Sequence, residues 1–343
     1  MKPLTHHRPL GLALLLFWLL PALAFAHKPY DRLVVFGDSL SDPGNAFALT
    51  GDALRAPYES LDALLIPAAP YAIGRYHFSN GATWIEQLAR ALDLRASAGP
   101  AFQEGRHHRH ARSNYAVGGA RARDNGIDVN LPTQIDAYLA ATGSEDPSDA
   151  LYAIVIGGND VRDAIAALAV DSTGAASAAI LGAALTSLSD SIQALYAQGA
   201  REFLIGNSPD LSLTPAIRTL DLFSPGTSMA AAIVSTQYNT SLEALLASLQ
   251  AALPDLVIHN LDIYGILHEL VSNPERYHLD NVIDGCVMPG IPPYACDKPR
   301  HYLFWDGIHP TTSTHGLVAK FARNALFPCE QARKSHGFAE MSH

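Results

Sequence analysis

Short apolar runs, each stopped by glycine or a polar turn residue, recur along the chain. Leu33-Val34-Val35-Phe36 ends at Gly37, Ala153-Ile154-Val155-Ile156 ends at Gly157, and the run from Arg201 to Ile205 ends at Gly206. Leu256-Val257-Ile258 lies ahead of Asn260, and a weaker run over residues 113–117 ends at Gly118. Apolar runs of this length, without polar alternation, suit strands buried on both faces of a parallel sheet. Helical spacing fills the gaps. Leu181, Leu185, Leu188, Ile192 and Leu195 recur at intervals of three and four before Gly199. Trp84, Ile85, Leu88 and Leu92 form a second apolar face, and Leu317, Val318, Phe321 and Leu326 part of a third. Strand-then-helix alternation predicts right-handed crossovers and helices on both sides of the sheet. The fold expected is α/β, three layers around a five-stranded parallel sheet.

The first residues stand apart from that pattern. Lys2 and Arg8 give a basic start, Leu10 to Leu20 an apolar run, and Ala24-Phe25-Ala26 an A-x-A cleavage site. This is the layout of a secretory signal peptide, with an apolar core too short to span a bilayer. Residues 1–26 are therefore read as a leader and residues 27–343 as a single domain, with no repeat or low-complexity linker to divide it. Later in the chain no continuous apolar run reaches membrane length, since Asp171, Ser172 and Thr173 interrupt the alanine-rich stretch from Ala164 to Leu188. The mature protein is expected to be exported, periplasmic or secreted, without an integral membrane segment.

With 48% hydrophobic and 16% charged residues the chain can build a core and carries no disorder signature. Its net charge of −10 argues against nucleic acid as a partner, and losing Lys2 and Arg8 makes it more acidic. Of the three cysteines, Cys286 and Cys296 bracket a short loop rich in proline and glycine and form the expected disulfide. No C-x-x-C pair supports a structural zinc site. The segment Arg106-His107-His108-Arg109-His110 has Glu104 as its one close carboxylate and reads as a solvated basic loop rather than a metal or anion site.

Four segments carry chemistry. Ser39, in Phe36-Gly37-Asp38-Ser39-Leu40-Ser41-Asp42, follows the first strand and is expected to open a helix, whose N-terminus favours developing negative charge. No G-x-S-x-G elbow occurs, so the usual α/β-hydrolase signature is missing. In Phe304-Trp305-Asp306-Gly307-Ile308-His309-Pro310, a three-residue spacing lets a carboxylate reach the imidazole Nδ1 and leaves Nε2 to take a proton. Asn114-Tyr115-Ala116-Val117-Gly118-Gly119 offers a glycine N–H that can approach an oxyanion closely. Ile156-Gly157-Gly158-Asn159-Asp160 offers the Asn159 amide for the same purpose. Each segment alone has an ordinary explanation as a cap, turn or solvated pair; together, in this order, they describe one esterase site.

These segments resemble the GDSL lipase/esterase family of the SGNH hydrolase superfamily, in the manner of an exported bacterial lipase or lysophospholipase. The resemblance runs from Phe36 to about His315. Gly74-Arg75, Phe78-Ser79-Asn80-Gly81 and Trp84-Ile85-Glu86 look like the stretch that follows in lipase-like members, although Tyr76 and His77 intervene between the arginine and the phenylalanine. The resemblance implies a flavodoxin-like three-layer fold and carboxylic ester hydrolysis without metal or cofactor. It makes Ser39 the nucleophile, His309 the base and Asp306 its partner. The backbone N–H groups of Ser39 and Gly119, with the Asn159 side chain, become the oxyanion hole, and Gly118 is the alternative to Gly119. The expected substrate is a small-molecule ester or lipid, with the loops over residues 46–76 and 211–228 shaping the acyl pocket. Acyl transfer to an alcohol, carbohydrate O-deacetylation and a non-enzymatic binding role are the competing functions.

Overall fold

The computed structural model describes residues 30–103, 112–142 and 147–328; the leader, the histidine-rich segment and Cys329 lie outside the described residues. In chain order the elements are β1 (Arg32–Gly37), α1 (Asn45–Thr50), α2 (Trp84–Ala91), α3 (Leu131–Ala141), β2 (Ala150–Val155), α4 (Gly158–Leu168), α5 (Ala175–Ala197) and β3 (Glu202–Gly206). Then follow α6 (Pro215–Phe223), α7 (Thr227–Ala252), β4 (Val257–Leu261), α8 (Ile263–Ser272), β5 (Asn281–Gly285), β6 (Tyr302–Phe304) and α9 (Thr312–Leu326). Strands β1 to β4 form a parallel sheet in sequence order. Alternate side chains divide between its faces, as the two-residue period of a strand requires. Val34, Phe36, Tyr152, Ile154, Phe203 and Ile205 pack with α3, α4, α5 and α7. Leu33, Val35, Leu151, Ala153, Val155 and Leu204 pack with α2, α8 and α9 on the other side. The predicted three layers are present.

The predicted fifth strand is not. Residues 113–117 do run beside β1, with Val35 N–H donating to Ser113 O (2.9 Å), Tyr115 N–H to Val35 O (2.8 Å) and Val117 N–H to Gly37 O (3.2 Å). Ladder pairing there is limited to a bridge between Val35 and Asn114. A side chain takes the donor that the next rung needs: the Gly37 N–H, which would donate to Tyr115 O, is bound instead by Gln134 Oε1 (2.9 Å). On the side of the segment away from β1, Asn45 Nδ2 donates to both Asn114 O and Ala116 O (2.8 Å each), and Asn114 O also accepts the Ala101 N–H (2.9 Å). The sheet therefore has four strands, with a short separate pair formed by β5 and β6. With residues 113–117 counted as an edge, strand order reverses beside β1, which is where a ligand crevice opens in such sheets.

Two further expectations change. Residues 211–228 are not a plain loop, because they contain α6 and the start of the 26-residue α7. The buried face of α7 (Ala231, Val234, Tyr238, Leu242, Leu246 and Leu249) has helical spacing, but its alanine, serine and threonine content dilutes the apolar stripe. Helix α5, at 23 residues and a mean hydropathy of 1.3, has the length and composition of a membrane span. Its Leu181, Ala184, Leu188, Ile192 and Leu195 instead join the buried core of this fold. The interruption at residues 171–173 precedes the helix and so does not break it.

Cys286 and Cys296 are joined in a disulfide. The bridge adjoins the segment that leads to Asp306, because Cys286 N–H donates to Phe304 O (3.2 Å) and Val287 N–H to Trp305 O (2.8 Å). Closing so short a loop stabilises by about 2–3 kcal/mol in the chain-entropy account. Replacing both cysteines by serine should lower the melting temperature and reduce turnover; a variant unchanged in both would show that the bridge does not steady this segment.

His315, on α9, is buried, and its Nδ1 has no hydrogen-bond partner. Burial, with His309 and His77 nearby, pushes the imidazole down to about 3. The folded state thus binds fewer protons at this site than the unfolded state between the ordinary histidine value and about 3. Stability should be unaffected by His315 above about pH 6.5 and should fall as pH drops below it, by at most ~1.4 kcal/mol per pH unit. In urea unfolding between pH 7 and 5, His315→Gln should show a shallower pH slope than the wild type; identical slopes would sink the assignment.

Candidate active site

Ser39, Gly119, Asn159 and His309 line one cavity of about 370 Å³. The residues come from far apart in sequence: Ser39 follows β1, Gly119 follows residues 113–117, Asn159 lies in the first turn of α4, and His309 precedes α9. Ser39 Oγ stands 2.8 Å from His309 Nε2. On the other side of the ring, Nδ1 lies 2.8 Å from Asp306 Oδ2 and 3.0 Å from Oδ1. A carboxylate facing Nδ1 places the ring proton there and leaves Nε2 as the acceptor.

Asp306 is fully buried and every side of its carboxylate is occupied. Oδ1 accepts the N–H groups of Ile308 (2.9 Å) and His309 (2.7 Å), and Oδ2 accepts the Tyr71 hydroxyl (3.0 Å). Burial, with Asp306 opposite, holds the Tyr71 phenol protonated, far above its ordinary range. The loop carrying the pair is fixed by its backbone: Trp305 N–H donates to His309 O (2.8 Å), Gly307 N–H to Leu65 O (2.9 Å) and Ala216 N–H to Gly307 O (2.8 Å). The Ser79 hydroxyl donates to Pro310 O (2.8 Å), and the Phe78 ring lies 5.4 Å from the imidazole.

Ser39 does not open a helix. It sits in a turn in which Leu40 N–H donates to Asp38 Oδ1 (3.0 Å) and Ser41 N–H to Asp38 O (3.0 Å). The first helix is α1, and Asp42 rather than Ser39 accepts its N-terminal donors: Gly44 and Asn45 N–H on Oδ1 (2.7 and 2.6 Å) and Ala46 N–H on Oδ2 (3.1 Å). The free end of a helix is therefore not what Ser39 draws on. Upstream, the Gln134 side chain holds both backbone groups of Gly37, accepting its N–H (2.9 Å) and donating to its carbonyl (2.8 Å).

The donors around Ser39 sort themselves by what is already engaged. Gly118 N–H is committed to Asp42 Oδ2 at 2.8 Å. Among the described residues, the N–H groups of Ser39 and Gly119 donate to no protein acceptor. One hydrogen of the Asn159 amide goes to Ala120 O (2.9 Å), fixing the side chain and leaving the other for the cavity. A Cβ at Gly118 would run into the Phe78 ring, and Gly119 has φ +83°, so this turn needs both glycines. Asp38, also on the cavity wall, has its carboxyl pushed up to about 6 by burial, against the opposing pull of the Leu40 N–H and His309.

Sequence reasoning missed Tyr71, Asp42 and Gln134. Tyr71 and Gln134 belong to no motif with a chemical signature, Asp42 ends the first segment without announcing its part, and each acts through a contact across at least 70 residues. Among the described residues, no three histidine, cysteine, aspartate or glutamate side chains converge to hold a metal ion.

Residues 33–322 match the family GDSL-like Lipase/Acylhydrolase, which covers most of the chain. Among related proteins, the GDSL esterase/lipase LIP-4 of Arabidopsis thaliana is 24% identical, with 83% of each chain aligned. Acetylajmalan esterase 2 of Rauvolfia serpentina is 26% identical over 92% of this chain and 95% of its own. A solved structure from the lipolytic G-D-S-L family of Veillonella parvula aligns with 87% of this chain and 98% of its own, at 14% identity and a TM-score of 0.39. The chain belongs to the GDSL-like lipase/acylhydrolase family and is a carboxylic ester hydrolase.

Proposed function

We propose that this enzyme cleaves acyl esters of the lipid or lysophospholipid type through an acyl-enzyme on Ser39. The observation that carries the reading is the unbroken chain from Ser39 Oγ through His309 to Asp306, set beside two unengaged backbone N–H groups. His309 Nε2 takes the Ser39 proton as Oγ attacks the ester carbonyl, and Asp306 stabilises the imidazolium that forms. The carbonyl oxygen, now negative, is received by the N–H groups of Ser39 and Gly119 and by the Asn159 amide. His309 then passes its proton to the departing alcohol. Water, deprotonated by the same nitrogen, releases the acid and restores Ser39.

Tyr71 is a positioning residue in this scheme: its hydroxyl, with two backbone N–H groups, keeps Asp306 aimed at Nδ1. The apolar part of the cavity wall, formed by Ile66, Pro67, Leu211 and Ile308, supports an acyl chain as the group bound beside Ser39. The signal-like leader and the disulfide support a single exported hydrolase domain after residue 26.

With p-nitrophenyl esters of two to sixteen carbons, Ser39→Ala should abolish turnover while leaving the melting temperature near that of the wild type. Undiminished hydrolysis would refute the nucleophile. Asn159→Ala should lower kcat by about 10²–10³-fold, the cost of one oxyanion donor. An effect confined to KM would count against that role.

A further inference from the structure

Two arginines beside the active-site cavity are fully employed. Arg121 pairs with Asp128 (2.7 Å) and Asp163 (2.9 Å), and Arg123 pairs with Asp160 (2.7 Å) and Asp163 (2.6 Å). Arg162 is different. It lines the cavity together with Ser39, Gly119, Asn159 and His309, yet makes no hydrogen bond or ion pair with any described residue. It lies three residues after Asn159 on α4, which puts both side chains on one face of the helix about one turn apart.

The carboxylates around it are engaged elsewhere. Asp163 is held by Arg121 and Arg123, and Asp160 by Arg123 and the Ala122 N–H (2.7 Å). Asp128 accepts from Arg121 and from Asn125 Nδ2 (2.7 Å), and Asp38 from the Leu40 N–H. Burial drives the Arg162 guanidinium below its ordinary value, against the pull of Asp163, but an arginine keeps its charge in water at any ordinary pH. A half-buried charge without a partner costs free energy that a bound anion would offset. The chain as a whole is acidic, at −10, and its net charge gives an anion no reason to approach.

We propose that Arg162 recognises an anionic oxygen group, carboxylate or phosphate, carried by the ester that Ser39 cleaves. The planar guanidinium suits both groups, since each presents paired oxygens to its fork of donors. The anion would sit within a helical turn of the oxyanion donors, so substrates that carry it close to the scissile ester are favoured over neutral esters of equal length. This inference rests on Ser39 being the nucleophile, and its test includes a reading that needs no turnover.

Two matched pairs distinguish the sources of the anion. The monoglutarate ester of p-nitrophenol is compared with the neutral pentanoate, and an acylglycerol phosphate with the monoacylglycerol of the same chain. In the wild type, kcat/KM should favour the anionic member of at least one pair. In Arg162→Gln, that ratio should fall about 10–100-fold, the size expected for a lost charge-assisted contact, and Arg162→Lys should recover part of it. A ratio unchanged by Arg162→Gln in both pairs would overturn the proposal while leaving ester hydrolysis intact. Calorimetric titration with glutarate and with inorganic phosphate decides the case if no ester is turned over. Binding weakened at least tenfold by Arg162→Gln supports the anion site, and binding that is absent or unaffected refutes it.

Discussion

A buried carboxylate that is neither nucleophile nor base organises the site. Asp42, with no exposed surface, accepts four backbone N–H groups, three from the start of α1 and one from Gly118. A carboxylate in such a position must be saturated with donors or it could not be buried. Saturating it fixes three things together: the turn after β1 that carries Ser39, the start of α1, and the glycine pair after residues 113–117. Because Gly118 is spent on Asp42, the N–H left unengaged on the cavity wall is that of Gly119. The division of labour between adjacent glycines is thus decided by a residue four positions after the serine's own aspartate neighbour.

The parallel sheet supplies the other half of the arrangement. Strands β1 and β2 are in register, Gly37 opposite Val155, so the turns after both strands emerge at the same level. Ser39 and Asn159 are neighbours for that reason and not through any local signal. His309 reaches them from the far end of the chain, 270 residues from Ser39, on a loop pinned by backbone bonds to Leu65 and Ala216. The contact between His309 and Asp306 itself needs only a three-residue turn. Its placement needs the whole fold.

This separates what the sequence makes legible from what it hides. The four strand cores, α2, α5 and α9 were readable because buried parallel strands are continuously apolar and amphipathic helices repeat every three or four residues. The four site segments were readable because glycine, asparagine, serine and the Asp306–His309 spacing are constrained by chemistry within a few residues of one another. The fifth strand failed because hydrophobicity describes burial, whereas strand length depends on which backbone groups are free to pair, and Gln134 had claimed the Gly37 N–H. The helix at Ser39 failed because Asp38 draws the Leu40 and Ser41 N–H groups into a turn, and α1 starts only after Asp42. Tyr71 and Gln134 were invisible because a single hydrogen bond made across the fold leaves no periodicity.

The Asn45 side chain has an effect that reaches beyond the site. By donating to the carbonyls of Asn114 and Ala116, it occupies acceptors on a segment lying at the margin of the sheet. Unpaired carbonyls in such a row are a template on which a strand from another molecule can add. A short amide, buried and tied at the same time to the Phe102 N–H through its oxygen (3.1 Å), closes that template together with the backbone of residues 97–101, whose Ala101 N–H donates to the same Asn114 O (2.9 Å). The asparagine and the strand-like stretch outside it thereby guard against edge-to-edge association between copies of the enzyme.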